Sequence, residues 1–161
     1  MSEYIFPEIF VEDVESNRVI CVKDSKFILL ENTATREECS KHYGSIPYEE
    51  VLNYVDLEKP ALKRSIIILD KKRNGVALLF PGETPLCLQE VRGRAVFYVG
   101  NPERVRKGDL IAYVTTRKNE VRNEYSLCEG FLLAVIDLTW EKPERIVVVA
   151  SSEQPREIAL G

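Results

Sequence analysis

The side chain best placed for covalent or recognition chemistry in this 161-residue chain is Lys118, ten residues after Gly108. Gly108-Asp109 opens an apolar stretch over 110–114, Thr115-Thr116 closes it and a second stretch covers 121–127, so Lys118 falls on the turn between two strands. Asn119 beside it tolerates left-handed backbone angles. A lysine amine held in solvent on a rigid hairpin can carry an acyl-linked group, and its four-carbon stem lets that group swing between sites. The surrounding segment is basic: residues 103–122 hold Arg104, Arg106, Lys107, Arg117, Lys118 and Arg122 against Glu103, Asp109 and Glu120, an excess of three positive charges. Arg117, Asn119 and Arg122 therefore form a candidate hairpin face for an anion, with Tyr113 or Tyr125 available to stack on bases. A hairpin-tip lysine also has a plain structural use, since it is soluble and discourages edge-to-edge pairing.

Other chemistry finds less support. The single histidine, His42, lies three residues after Cys39, but two ligands without a second pair do not make a zinc site. Any Ser-His-Asp or Cys-His arrangement would also need His42, and no nucleophile elbow accompanies it. Cys21, Cys39, Cys87 and Cys128 contain no CxxC pair, which predicts buried reduced thiols. No catalytic residue, metal ligand or obligatory cofactor is assigned, and a non-enzymatic protein is expected. The net charge of -4 and pI near 5.2 argue against nucleic acid or an anionic membrane as the principal partner. Apolar runs such as 131–136 and 146–150 fall far short of the roughly 20 residues of a membrane helix. The N-terminal residues carry no basic region followed by a long apolar stretch, so a cytoplasmic location is expected. Two glutamines and one methionine among many Arg and Glu residues fit a thermophilic source.

The elements that must position Lys118 are mostly strands. Segments 4–11, 18–22 and 27–30 predict a short antiparallel meander, with Lys23-Asp24-Ser25 as a turn. Thr35 and Glu38 form a capping box and Gly44 a stop, predicting a helix over 36–43. Pro47, Glu49, Glu50 and the stripe Val51, Leu52, Val55 predict a second over 47–56. Segments 66–69 and 76–80 read as a hairpin around Lys71-Lys72-Arg73-Asn74-Gly75, whose basic triplet is a solvated loop tip or a phosphate contact. Beyond residue 76 only short strands fit. A glycine, an apolar strand, Pro-Glu-Arg and a second strand occur twice, from Gly93 and from Gly130, suggesting two similar halves. Trp140 is expected to pack near the end of the second half's first strand.

The order of landmarks Phe80-Pro81-Gly82-Glu83, Gly93, residues 105–114 with Gly108-Asp109, then Thr116-Arg117-Lys118, and Gly130 before an apolar strand resembles a lipoyl or biotinyl domain over 76–150. That resemblance implies a flattened barrel-sandwich hybrid. The whole chain also resembles an uncharacterised archaeal protein family of this fold class. The expected fold is mainly β, α+β overall. Residues 1–75 are expected as an N-terminal α+β segment packing on the barrel, 76–150 as the barrel-sandwich domain and 151–161 as a C-terminal tail. By the resemblance, Lys118 is the candidate attachment site for biotin or lipoate. The motif departs from both carrier types, since Arg117 and Asn119 flank Lys118 where biotinyl domains have methionines and lipoyl domains place a preceding acid. A non-catalytic binding or interaction module on this scaffold is therefore the first expectation, with an unidentified protein partner and a homodimer compatible with so small a strand-rich protein. A covalent carrier using Lys118 and an anion- or RNA-binding protein using the basic hairpin face are the alternatives.

Overall fold

The computed structural model describes residues 7–31, 39–70, 76–138 and 142–160. The described chain is mainly strand, with one 3-10 helix at Tyr48–Tyr54, and it divides into two compact units. The first runs to residue 55, resumes over 62–83 and takes up the chain again from 155; the second comprises 56–61 and 84–154.

The N-terminal part supplies β1 (Glu8–Glu12), β2 (Arg18–Lys23), β3 (Lys26–Glu31) and β4 (Lys41–Ile46). After them come the short paired strands β5 (Val55–Asp56) and β6 (Ala61–Leu62), then β7 (Ile66–Asp70) and β8 (Val76–Phe80). The second unit holds β9 (Leu86–Gly93), β10 (Ala95–Tyr98), β11 (Arg104–Val105), β12 (Leu110–Thr115), β13 (Val121–Tyr125), β14 (Gly130–Leu138) and β15 (Glu144–Ser151), and β16 (Arg156–Ile158) returns to the first.

In the first unit seven strands form one sheet in the order β16-β8-β7-β1-β4-β2-β3. A parallel bridge between Phe27 and Leu160 joins the stretch after β16 to β3, so the two ends of that order meet and the sheet curls round. Phe10, Ile20, Tyr43, Ile67, Leu69, Ala77 and Ile158 pack together on one face. Ile9, Val11, Val19, Ile66 and Ile68, from the alternate positions, are buried as well. Apolar residues on both faces explain why β1 and β7 read as continuous hydrophobic runs. At one end of the sheet Arg18 on β2 grips Glu8 on β1 through Nε and Nη2 at 2.7 and 2.8 Å and also pairs with Glu31 on β3. The carboxylates, Glu8 first, raise the Arg18 pKa above its ordinary value.

Several expectations change here. The predicted helix over 36–43 does not form through its C-terminal half, because Lys41–Tyr43 belong to β4; the capping box at Thr35 and Glu38 lies outside the described residues. Strand β4 is inserted between β1 and β2, so the meander is interrupted: β2 pairs with β3 as expected, while β1 pairs with β4 and β7. Gly44 serves close approach rather than a helix stop, since a Cβ there would lie 2.1 Å from the Val14 carbonyl oxygen. The second predicted helix is a seven-residue 3-10 segment that begins after Pro47 and packs fully buried Val51 towards β1. The bond from Glu50 N–H to the Pro47 carbonyl at 3.0 Å has the 3-10 spacing, and the Tyr54 carbonyl accepts from Lys63 N–H at 2.8 Å, drawing the chain into extended structure. The β7–β8 hairpin forms as predicted; its loop, residues 71–75, and Trp140 lie outside the described residues.

In the second unit a three-stranded sheet, β10-β12-β13, and a four-stranded sheet, β11-β14-β15-β9, share one core. Val96, Ile111, Ala112 and Val114 from the first meet Val91, Val135, Ile146, Val148 and Ala150 from the second. Gly130 opens β14 at φ 144, and a Cβ there would lie 2.0 Å from the Ser151 carbonyl oxygen, so only glycine fits. The sequence echo does not repeat in the pairing: β14 and β15 pair with each other, whereas β10 and β11 lie in different sheets. Residues 156–158 are the edge strand of the first unit and not a tail, and β8 belongs with them. The expectation of reduced thiols is also corrected. Cys21 is bonded to Cys39 and Cys87 to Cys128, with Cα separations of 5.4 and 5.7 Å inside the usual disulfide range. No helix among the described residues is long and apolar enough to cross a membrane.

Candidate binding surface

The three-stranded sheet of the second unit is built from short alternating segments whose register decides what faces solvent. Val96 lies opposite Val114 and Tyr98 opposite Ala112, and this row packs into the core. The intervening row pairs Phe97 with Tyr113 and Tyr113 with Asn123, with Val121 and Tyr125 on the same side of β13. That row is exposed: Phe97 retains 67% of its surface, Tyr113 42%, Val121 68% and Tyr125 51%. Exposed Val99 and Leu127 follow β10 and β13. Scattered exposed apolar residues are ordinary; here several share one sheet face.

The β12–β13 hairpin limits this surface at one end. The Thr116 carbonyl accepts from Asn119 N–H at 3.0 Å, which places Arg117 and Lys118 at the centre of a four-residue turn. Asn119 follows at φ 60, and Thr116 N–H donates to the Glu120 carbonyl at 2.8 Å. This is the three-residue hairpin connection in which a left-handed residue completes the turn. Lys118 stands exposed at its tip, as the sequence predicts, beside exposed Arg117. Arg94, which the sequence did not single out, donates through Nη1 to Asn119 Oδ1 at 2.5 Å and adds a third cation to this end. Arg122 does not join them on the aromatic side. It lies opposite core-facing Val114, on the other face of β13, with Nη2 2.8 Å from Glu124 Oε1.

At the far end, β9 ties down the segment that leaves β13. Buried Gln89 donates from Nε2 to the Tyr125 carbonyl at 2.9 Å and accepts from Leu127 N–H at 2.8 Å, in the manner of a neighbouring strand. Two residues earlier, Cys87 is bonded to Cys128. Gly108, at φ 91, donates to the Ser126 carbonyl at 2.8 Å, and Ser126 N–H returns a bond to the Asp109 carbonyl at 2.7 Å. The Gly108-Asp109 landmark thus fixes the start of β12 against the end of β13.

Sequence reasoning named Tyr113, Tyr125 and the hairpin but missed Phe97, Val121, Arg94 and Gln89. The available signal was the alternation in Ala95–Tyr98, which puts Val96 and Phe97 on opposite faces without telling which one is inside. Cys39 is in a disulfide, and His42 Nε2 lies 3.2 Å from a Glu15 carboxylate oxygen. Among the described residues no group of three His, Cys, Asp or Glu side chains converges. The first unit has its own concave feature, an open cleft of about 520 Å³ at the seam where Phe27 meets Leu160, with the Arg156 guanidinium carbon 6.0 Å from the Phe27 ring centre.

The sequence signature of a family described as an uncharacterized protein conserved in archaea (DUF2118) spans residues 4–153. No curated protein matches the chain.

Proposed function

The chain belongs to this uncharacterised archaeal family, so its role must be read from its own surface, and we propose that it is a non-catalytic docking module for another protein. The observation that carries the reading is the exposed row Phe97, Tyr113, Val121 and Tyr125 on a sheet whose other face is core. Arg94, Arg117 and Lys118 at one end give that row a positive border. The complementary partner presents an apolar patch bordered by Asp or Glu, with the aromatic side chains as anchors and the cations setting orientation and encounter rate. In this reading the second unit is a barrel-sandwich scaffold of the biotinyl and lipoyl kind, supported by its two curled sheets and the projecting hairpin, and used without covalent attachment.

The test is site-specific photocrosslinking in archaeal cells, with the reactive residue at Phe97. A discrete protein adduct is expected, at least tenfold weaker after Tyr113→Ser and weakened by Arg117→Glu with Lys118→Glu. An adduct with RNA, or a protein adduct indifferent to all three substitutions, would overturn the reading.

One observation favours a second reading: Lys118 stands at the tip of an ordered turn, the position a swinging attachment requires. The carrier reading expects the protein from its native cells to weigh more by one biotin or lipoate, and Lys118→Ala to lose that mass. An unmodified mass in cells that biotinylate or lipoylate other proteins removes it.

A further inference from the structure

We propose that β13 is a dimerisation edge, pairing antiparallel with β13 of a second copy about a two-fold axis through Asn123. Among the described residues β13 has a strand neighbour on one side only, β12. Which of its amides point the other way follows from the hydrogen bonds at its two ends. Glu120 accepts from Thr116 on the β12 side, and Ser126 exchanges bonds with Gly108 and Asp109 on that same side. The strand period of two then turns the backbone groups of Arg122 and Glu124 towards β12 and those of Val121, Asn123 and Tyr125 outward, where the Tyr125 carbonyl already accepts one bond from Gln89 Nε2. Residues 121–125, Val-Arg-Asn-Glu-Tyr, contain no proline or lysine, and their two charges, Arg122 and Glu124, are of opposite sign and paired with each other.

The five side chains are self-complementary when the strand is turned on itself. With Asn123 opposite the partner's Asn123, Arg122 faces the partner's Glu124 and Glu124 the partner's Arg122, on one side of the joined sheet. On the other side Val121 faces the partner's Tyr125 and Tyr125 the partner's Val121. Opposite charges and aromatic–β-branched pairs directly across a ladder are the favourable cross-strand combinations. An interface of this symmetry must satisfy each contact twice, and this register does so.

Neighbouring registers are less favourable. Moving the axis to residue 122 or 124 sets arginine against arginine or glutamate against glutamate, and presents backbone groups already directed at β12. Moving it to Val121 runs the ladder into the turn, where Asn119 is at φ 60. Moving it to Tyr125 needs both groups that Gln89 holds, the Tyr125 carbonyl and the Leu127 N–H, whereas pairing at Asn123 meets Gln89 only at the Tyr125 carbonyl, whose second lone pair can accept from the partner's Val121 N–H. Pairing at Asn123 joins the two three-stranded sheets into one of six strands and makes the exposed aromatic rows continuous. The proposal rests on the edge and not on the docking role of the face, so either can fail alone.

Sedimentation velocity on the full chain reads the outcome, with the 18.4 kDa chain expected at twice its mass. Asn123→Pro removes an outward N–H and leaves the β12 ladder intact, and a single-chain mass is expected. Arg122→Glu and Glu124→Arg each set like charges across the axis, so each alone is expected to be a single chain. Mixing those two variants restores opposite charges at both positions, and a heterodimer is expected. Circular dichroism of each variant confirms that it is folded, and the mixture recovers pairing only if both are. A wild-type protein that sediments as one chain, a dimer that survives Asn123→Pro and both charge variants, or a mixture that remains unpaired would each overturn the proposal.

Discussion

Gln89 organises more of the second unit than its size suggests. Its amide replaces a missing strand for Tyr125 and Leu127, and burial makes both bonds costly to lose. Gln89→Leu leaves a carbonyl and an N–H without this partner and is expected to destabilise by about 1–3 kcal/mol in urea unfolding; an unchanged midpoint would mean that water replaces the amide. Tyr43 has a different signature. Burial, then the nearby Glu12 carboxylate, raises its pKa above the usual tyrosine value, while Lys41 acts the other way. The folded state therefore holds the phenol proton more tightly than the unfolded chain does. Its contribution is complete below the unfolded pKa of about 10 and is lost as pH rises through the folded value. Thermal stability is expected to fall more steeply above pH 10 in wild type than in Tyr43→Phe, and identical slopes would remove Tyr43 as the cause. At this scale the Lys118 turn was legible, because Thr116 and Asn119 have local preferences that the turn satisfies. Gln89 was not, since its partners lie 36 and 38 residues away.

At the scale of elements the disulfides act as staples. Cys87–Cys128 ties β9 of the four-stranded sheet to the segment after β13 of the three-stranded sheet and closes a separation of 41 residues. Cys21–Cys39 ties β2 to the segment before β4 across 18. Loop-closure entropy gives about 4 and 3 kcal/mol for loops of these lengths. Cys87→Ala with Cys128→Ala is expected to lower unfolding free energy by about 4 kcal/mol, and a reductant should lower the wild type by more than this variant, which keeps only Cys21–Cys39. Equal unfolding curves with and without reductant would show that these bonds do not form in solution. Disulfides are rare in cytosolic proteins of mesophiles and common inside hyperthermophilic archaea, so the archaeal family is compatible with them. Strand existence was largely readable: β2, β3, β7, β8, β14 and β15 are apolar runs bounded by turn residues. Strand β4 was not, because Lys-His-Tyr-Gly-Ser-Ile has no strong alternation and its place between β1 and β2 is decided by tertiary pairing.

The whole molecule departs most from a left-to-right reading of the chain. The sequence suggested consecutive segments with a boundary near residue 76 and a tail from 151, yet the first unit uses β7 and β8 together with β16 and the second is inserted between them. No composition shift marks such an insertion, since both units are built from similar short apolar strands. Strand β16 has a consequence for how the protein is made. Synthesis proceeds from the N-terminus, so all of residues 84–154 emerge before the first unit receives the strand that pairs with β8. Until then β8 is an open edge beside Leu78 and Leu79, and the bridge that joins the ends of the sheet cannot form. Most of the second unit emerges while the first waits, and the interval in which nascent β8 can pair with the wrong strand is set by the time taken to translate the residues between β8 and β16.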